Sequence, residues 1–142
     1  QLQVAAALDL PVILHCRGAF EELFDAVAEV RPLGVRGVLH AFSRGPELVR
    51  RAAGSGLFLG LGGAITRERA KRPRRSAQVT PPDRMLLETD APSIGLDGVT
   101  PENTEPAHVR DVAEALAALR DEPFEETARR TTENAERLFQ LS

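Results

Sequence analysis

Four short apolar runs, about 20 to 27 residues apart, decide most of what this chain can fold into. They are Pro11-Val12-Ile13-Leu14, Gly37-Val38-Leu39, Leu57-Phe58-Leu59-Gly60-Leu61 and Met85-Leu86-Leu87. Each has strand length and is hydrophobic at odd and even positions alike, as parallel strands are when helices cover them. Helical periods fill the intervals. Phe20, Leu23, Phe24, Val27 and Val30 step by three or four along one face and stop before Pro32. Gly45-Pro46-Glu47 opens a second helix, and Gly54 and Gly56 close it. A third is expected over Arg67 to Val79, broken or bent near Pro73. Strands alternating with helices in this way make βαβ units and a parallel sheet.

The ends of the pattern follow the same logic. Leu2 to Leu8 reads as the end of a helix feeding the first strand. A Pro/Gly-rich loop, Ala91 to Pro106, follows the fourth strand. Thr104 is the expected N-cap of a helix with Val109, Val112, Ala113 and Leu116 on its face. Asp121-Glu122-Pro123 restarts a short helix, and Asn134 is expected to cap a last one carrying Leu138 and Phe139. The 142 residues suit a single domain, 1–142. They are also about half of the roughly 250 that a closed eight-stranded α/β barrel needs.

Composition narrows the function classes. The longest apolar stretch, Ala5 to Leu14, carries Asp9 and falls short of the about 18 residues of a membrane span. No basic residue leads an apolar segment at the start, so neither a signal peptide nor a membrane partner is expected. The single cysteine, Cys16, excludes an intrachain disulfide and fits a reducing cytoplasm. Charge is uneven: residues 1–82 hold twelve basic and seven acidic side chains, residues 83–142 six and fourteen. Much of the positive excess lies in the run Arg67 to Arg75, which could meet phosphates. With no Trp or Tyr to interleave, it reads first as a solvated helix and loop.

Three of the four strands end in residues that a hydrophobic core would not choose. These ends are His15-Cys16-Arg17, His40-Ala41-Phe42-Ser43 and Glu88-Thr89-Asp90. The third strand ends in Gly60-Leu61-Gly62-Gly63, which offers close backbone approach instead of a side chain. In parallel α/β folds the C-terminal strand ends form one functional mouth. Two imidazoles and a carboxylate there are ligands for Zn, Mn and related divalent ions. Such an ion activates water and polarises a carbonyl or phosphoryl oxygen, and Asp90 could both bind it and take the proton of the attacking water. His108, at a helix start after Pro106, reads as an exposed residue outside the site.

In order, Leu-Pro-Val-Ile-Leu-His-Cys-Arg, Gly-Val-Leu-His-Ala-Phe-Ser and Arg-Met-Leu-Leu-Glu-Thr-Asp-Ala-Pro resemble the TatD-type metal-dependent hydrolases. These are (β/α)8 barrels of the amidohydrolase type, many described as deoxyribonucleases. The stretches Asn103 to Ala113 and Thr131 to Phe139 are similar to the family's closing helices. The resemblance implies an α/β fold, the C-terminal half of the barrel. It makes His15 and His40 metal ligands after the fifth and sixth barrel strands, and Asp90 the metal-binding and catalytic carboxylate after the eighth. By strand alternation Arg17 shares a face with His15 and Glu88 with Asp90, where they would orient ligands, meet substrate phosphate or pair structurally.

The family also uses a His-x-His pair and a bridging glutamate from its first half. The chain's histidines are His15, His40 and His108, so those ligands would come from an N-terminal half absent here. Arg44 stands where many relatives carry Gly after the Ser. The expected activity is hydrolysis of a phosphodiester, DNA above all, with two divalent ions (Mg, Mn or Zn) per complete site. Three other readings stay open: ester or amide hydrolysis such as aminoacyl-tRNA deacylation, a non-catalytic half-barrel module, and a nucleic-acid-binding module built on Arg67 to Arg75. No feature fixes an oligomeric state.

Overall fold

The structure is a computed structural model and describes residues 1–141. Helix α1 (Leu2–Ala7) leads into strand β1 (Val12–Leu14), helix α2 (Phe20–Val30), strand β2 (Gly37–Leu39) and helix α3 (Pro46–Gly54). Strand β3 (Phe58–Leu61), helix α4 (Lys71–Val79) and strand β4 (Met85–Leu87) follow, and helices α5 (Val109–Arg120) and α6 (Phe124–Phe139) close the chain. The strands form one parallel sheet in the order β1-β2-β3-β4, with Ile13 opposite Val38, Leu39 opposite Leu59 and Gly60 opposite Leu86. Strand order therefore follows chain order.

Two apolar layers hold the sheet. On one side Leu39 and Leu59 pack with Phe24, Val27, Val49 and Ala52, and Leu61 and Met85 pack with Ile65, Ala77, Val112 and Leu116. Each fully buried leucine here contributes roughly 1.5–3 kcal/mol. On the other side Val38, Phe58 and Leu86 are covered by Leu138 of α6, with Ala135 and Phe139 beside it. The side-chain amide of Asn134 donates to the carbonyls of Pro82 (2.8 Å) and Met85 (2.9 Å), fixing α6 under the entry to β4. Arg36, just before β2, donates to the Leu138 carbonyl at 3.1 Å. The guanidinium groups of Arg84 and Arg137 each lie 5.3 Å from the Phe58 ring centre. Helix α6 thus closes the N-terminal end of the sheet and leaves the opposite end open.

Local details differ from the sequence expectations in three places. Helix α4 starts at Lys71, with residues 63–66 forming a separate 3-10 turn. Pro73 sits in its first turn, where a missing N–H leaves no helical hydrogen bond unmade, so the helix runs unbroken through it. Thr104 is buried and donates to the Thr100 carbonyl at 2.9 Å instead of capping a helix. That start is held reciprocally: the Glu105 N–H donates to Nδ1 of His108 at 2.8 Å, and the His108 N–H donates to the Glu105 main-chain carbonyl at 3.1 Å. Finally, α6 is one unbroken helix, and Asn134 lies within it because its amide serves the strand carbonyls.

The basic run divides in the same way. Arg67 donates to the Gly95 carbonyl at 2.6 Å and Arg74 to the Ile65 carbonyl at 2.9 Å, tying together the loops after β3 and β4. Lys71, Arg72 and Arg75 remain exposed. Among the described residues no helix is long and apolar enough to cross a membrane.

Candidate metal centre

All the chemically distinctive residues leave the sheet at its open end. His15 directly follows β1 and His40 directly follows β2, where the His40 N–H still donates to Leu14 at 2.9 Å. The Glu88 N–H likewise donates to Leu61 at 3.1 Å, one residue past β4. These bonds extend the sheet by one step and hold both residues in strand register. The backbone then turns sharply. Ala41 has φ 49° and Asp90 φ 56°; Asp enters this left-handed region more readily than most residues, whereas Ala rarely adopts it. Such strain persists where surrounding contacts over-determine it.

Those contacts centre on Glu88. Its Oε2 lies 3.0 Å from His40 Nδ1, while its Oε1 accepts the N–H of Ala41. On the far side of the ring, His40 Nε2 lies 3.5 Å from Asp90 Oδ1. One carboxylate therefore faces each edge of the imidazole. The side chains of His40, Glu88 and Asp90 are 20%, 21% and 31% exposed, so all three are shielded yet reachable. The His15 ring is more exposed, its centre 6.0 Å from that of His40 and tilted by 40°. A cavity of about 60 Å³ lies next to this group, lined by Ala41, Phe42, Gly62, Gly63, Glu88 and Asp90 among others.

The donor chemistry bears on whether a divalent ion suits this place. With Nδ1 donating to Glu88, the neutral His40 ring keeps its lone pair on Nε2, toward Asp90. One imidazole nitrogen, one carboxylate and a second imidazole nearby make an N/O donor set of the kind that divalent first-row ions take. Among the described residues no three such side chains converge on one point, so the donors present fit part of a coordination sphere.

The remaining expected residues are also located. Arg17 is exposed and lines a shallow hollow of about 360 Å³ with His15, Cys16 and Glu22, apart from Glu88 and Asp90. Its carbonyl accepts a hydrogen bond from Arg44, whose guanidinium lies 5.1 Å from the Phe20 ring centre. Arg44 therefore braces the loops after β1 and β2. His108 is engaged in the cap before α5. Sequence reasoning did not foresee the role of Ala41, although its neighbour His40 marks the spot. The glycines ending β3 were legible as a place of close approach, and what approaches Gly60 is the Glu88 carboxylate. A larger hollow of about 560 Å³ runs between α5 and α6, but Leu87, Val109, Ala113, Phe124 and Leu141 make it apolar, and it carries no histidine.

A family model described as TatD related DNase matches residues 1–140. The uncharacterized metal-dependent hydrolase YabD of Bacillus subtilis is 36% identical over 142 residues, 100% of this chain and 56% of that protein. The 3'-5' ssDNA/RNA exonuclease TatD of Erwinia tasmaniensis is 36% identical over 146 residues, 99% of this chain and 56% of that protein. The crystal structure of the TatD homologue YjjV from Escherichia coli superposes with a TM-score of 0.92 at 33% identity, covering 99% of this chain and 54% of that one. A TatD-family hydrolase from Entamoeba histolytica, 18% identical, shares the fold with a TM-score of 0.83. The chain spans about half the length of the curated relatives it matches. Its four parallel strands and flanking helices are half of a (β/α)8 barrel. From strand ends to closing helices, the chain belongs to the TatD-related DNase family.

Proposed function

We propose that this chain carries part of the metal centre of a hydrolase acting on phosphodiester bonds, DNA above all. His15, His40 and Asp90 would hold divalent metal, with two ions (Mg, Mn or Zn) in a complete site. The observation that carries the reading is the His40 ring set between Glu88 at 3.0 Å and Asp90 at 3.5 Å, at the open ends of parallel strands. The names of relatives support it: two are metal-dependent hydrolases, and TatD of Erwinia tasmaniensis is a 3'-5' ssDNA/RNA exonuclease.

When bound, a divalent ion supplies activation of water and neutralisation of charge growing on phosphoryl oxygens. The protein residues do the rest. Glu88 holds Nδ1 of His40, so that Nε2 keeps its lone pair facing the site. Asp90 Oδ1 accepts the proton that the attacking water loses. Arg17, exposed beside His15, meets a substrate phosphate with its guanidinium. Further ligands would come from the other half of a (β/α)8 barrel.

The test uses the complete open reading frame, assayed on end-labelled single-stranded DNA with Mg²⁺, Mn²⁺ or Zn²⁺ and with chelator. Cleavage is expected only with metal. Asp90→Asn lowers the rate on the order of 10²- to 10⁴-fold. An Asp90→Asn protein as active as its parent contradicts the role given to Asp90.

A further inference from the structure

Glu88 begins beside β4 and acts on β2, so its side chain must pass over the end of β3, which lies between them. Gly60 is the residue it passes. A Cβ placed on Gly60 would meet Glu88 Oε2 at 2.4 Å, its Cδ at 2.8 Å and its Oε1 at 3.1 Å. All three atoms belong to the carboxylate end of one flexible side chain. The backbone itself does not call for glycine, since the positive-φ glycines are Gly34, Gly56 and Gly98. Glycine also weakens a strand interior compared with residues that carry a side chain. Its presence in buried β3 is explained by the room it leaves for one carboxylate.

We propose that Gly60 is a positioning residue of the candidate metal centre: its missing side chain lets the Glu88 carboxylate cross β3 and fix both the His40 ring and the Ala41 N–H. The proposal rests on the metal-centre reading for what the ring is held to do, and on geometry alone for how it is held. A methyl group at position 60 displaces the carboxylate from both partners. The fold is expected to tolerate this, because the three atoms nearest such a methyl group all belong to the carboxylate end of the flexible Glu88 side chain. The effect of Gly60→Ala is therefore transmitted through Glu88.

The test compares the parent, Gly60→Ala, Glu88→Ala and the double variant, all stripped of metal by chelator. Nitrogen NMR of the neutral His40 ring reports which nitrogen carries the proton. The parent is expected in the Nδ1–H form. Gly60→Ala and Glu88→Ala both lose that preference, and the double variant loses no more than Glu88→Ala alone. Retention of the parent's tautomer in Gly60→Ala, or a further change in the double variant, overturns the proposal. Thermal melting guards the result. Any drop in Gly60→Ala is relieved when Glu88→Ala is added, and a drop that persists without Glu88 overturns the proposal as well. Titration with Mn²⁺ separates the two readings. Affinity is expected to fall roughly 10- to 100-fold in Gly60→Ala. Absence of Mn²⁺ binding to the parent contradicts the metal-centre reading and leaves the tautomer result to decide the role of Gly60.

Discussion

The side-chain amide of Asn134 donates to the main-chain carbonyl of Met85 at 2.9 Å, in a buried bond between the closing helix and the last strand. The same amide serves Pro82 at 2.8 Å, and the Asn134 carbonyl oxygen accepts from Arg137 at 2.9 Å. Asn134 is 2% exposed, so water cannot replace these partners. Asn134→Leu keeps the branched heavy-atom skeleton and removes both donors. It is expected to lower stability by about 2 kcal/mol, read from urea denaturation. A change below about 0.5 kcal/mol contradicts the assigned role, since that is the range of unremarkable surface substitutions.

Glu122 joins two helices electrostatically. It pairs with Arg130 and, at 3.4 Å, with Arg120, and it accepts from the Thr127 hydroxyl at 2.8 Å. Arg120 in turn donates to the carbonyls of Ala77, Gln78 and Thr80 at the end of α4. Burial alone would raise the Glu122 carboxyl, but the Arg130 and Thr127 hydrogen bonds and the two guanidinium charges outweigh it and hold it below its ordinary 4.5. A depressed carboxylate contributes stability that is present above its unfolded value and lost as pH falls through the folded one. The protein is therefore expected to lose stability below about pH 4.5. Glu122→Gln lowers stability at pH 7 by about 2 kcal/mol and flattens that acid limb. An unchanged acid limb in Glu122→Gln contradicts the linkage.

Ala41 holds its left-handed φ of 49° without a side chain that could compensate. Ala41→Gly removes the steric cost and is expected to raise stability by about 1 kcal/mol, measured by guanidinium denaturation. Glu88 still holds the N–H, so the His40 tautomer stays as in the parent. Unchanged or lower stability in Ala41→Gly contradicts the strained geometry at the end of β2.

The sheet was legible in the sequence because its strands are apolar at odd and even positions alike, although only β2, β3 and most of β4 are buried and β1, at the sheet edge, leaves Ile13 66% exposed. Val12–Leu14, Gly37–Leu39, Phe58–Leu61 and Met85–Leu87 all fall within the four apolar runs. The face of α2 was legible for a similar reason, with Phe24, Val27 and Val30 buried as their spacing implies. What stayed hidden depends on partners distant in sequence. Asn134 looks like a cap because Asn favours caps, and only the carbonyls at the entry to β4, 49 and 52 residues away, show why it sits inside a helix. Alternation along β4 put Glu88 and Asp90 on one face. That Glu88 reaches over Gly60 to His40, and that Arg17 lines a hollow with His15 apart from Glu88 and Asp90, follows from strand order and side-chain reach.

The central claim is that His15, His40 and Asp90 are metal donors, and the chain carries its own control in His108. Mn²⁺ is paramagnetic and broadens the NMR signals of whatever lies close to it. Added in small steps to the metal-free protein, it is predicted to broaden the ring signals of His15 and His40 and the carboxyl signal of Asp90 first, leaving His108 sharp. Asp90→Asn shifts that broadening to higher Mn²⁺ concentration. Broadening that begins at His108, or that spares His15 and His40 throughout, contradicts the assignment of the metal centre.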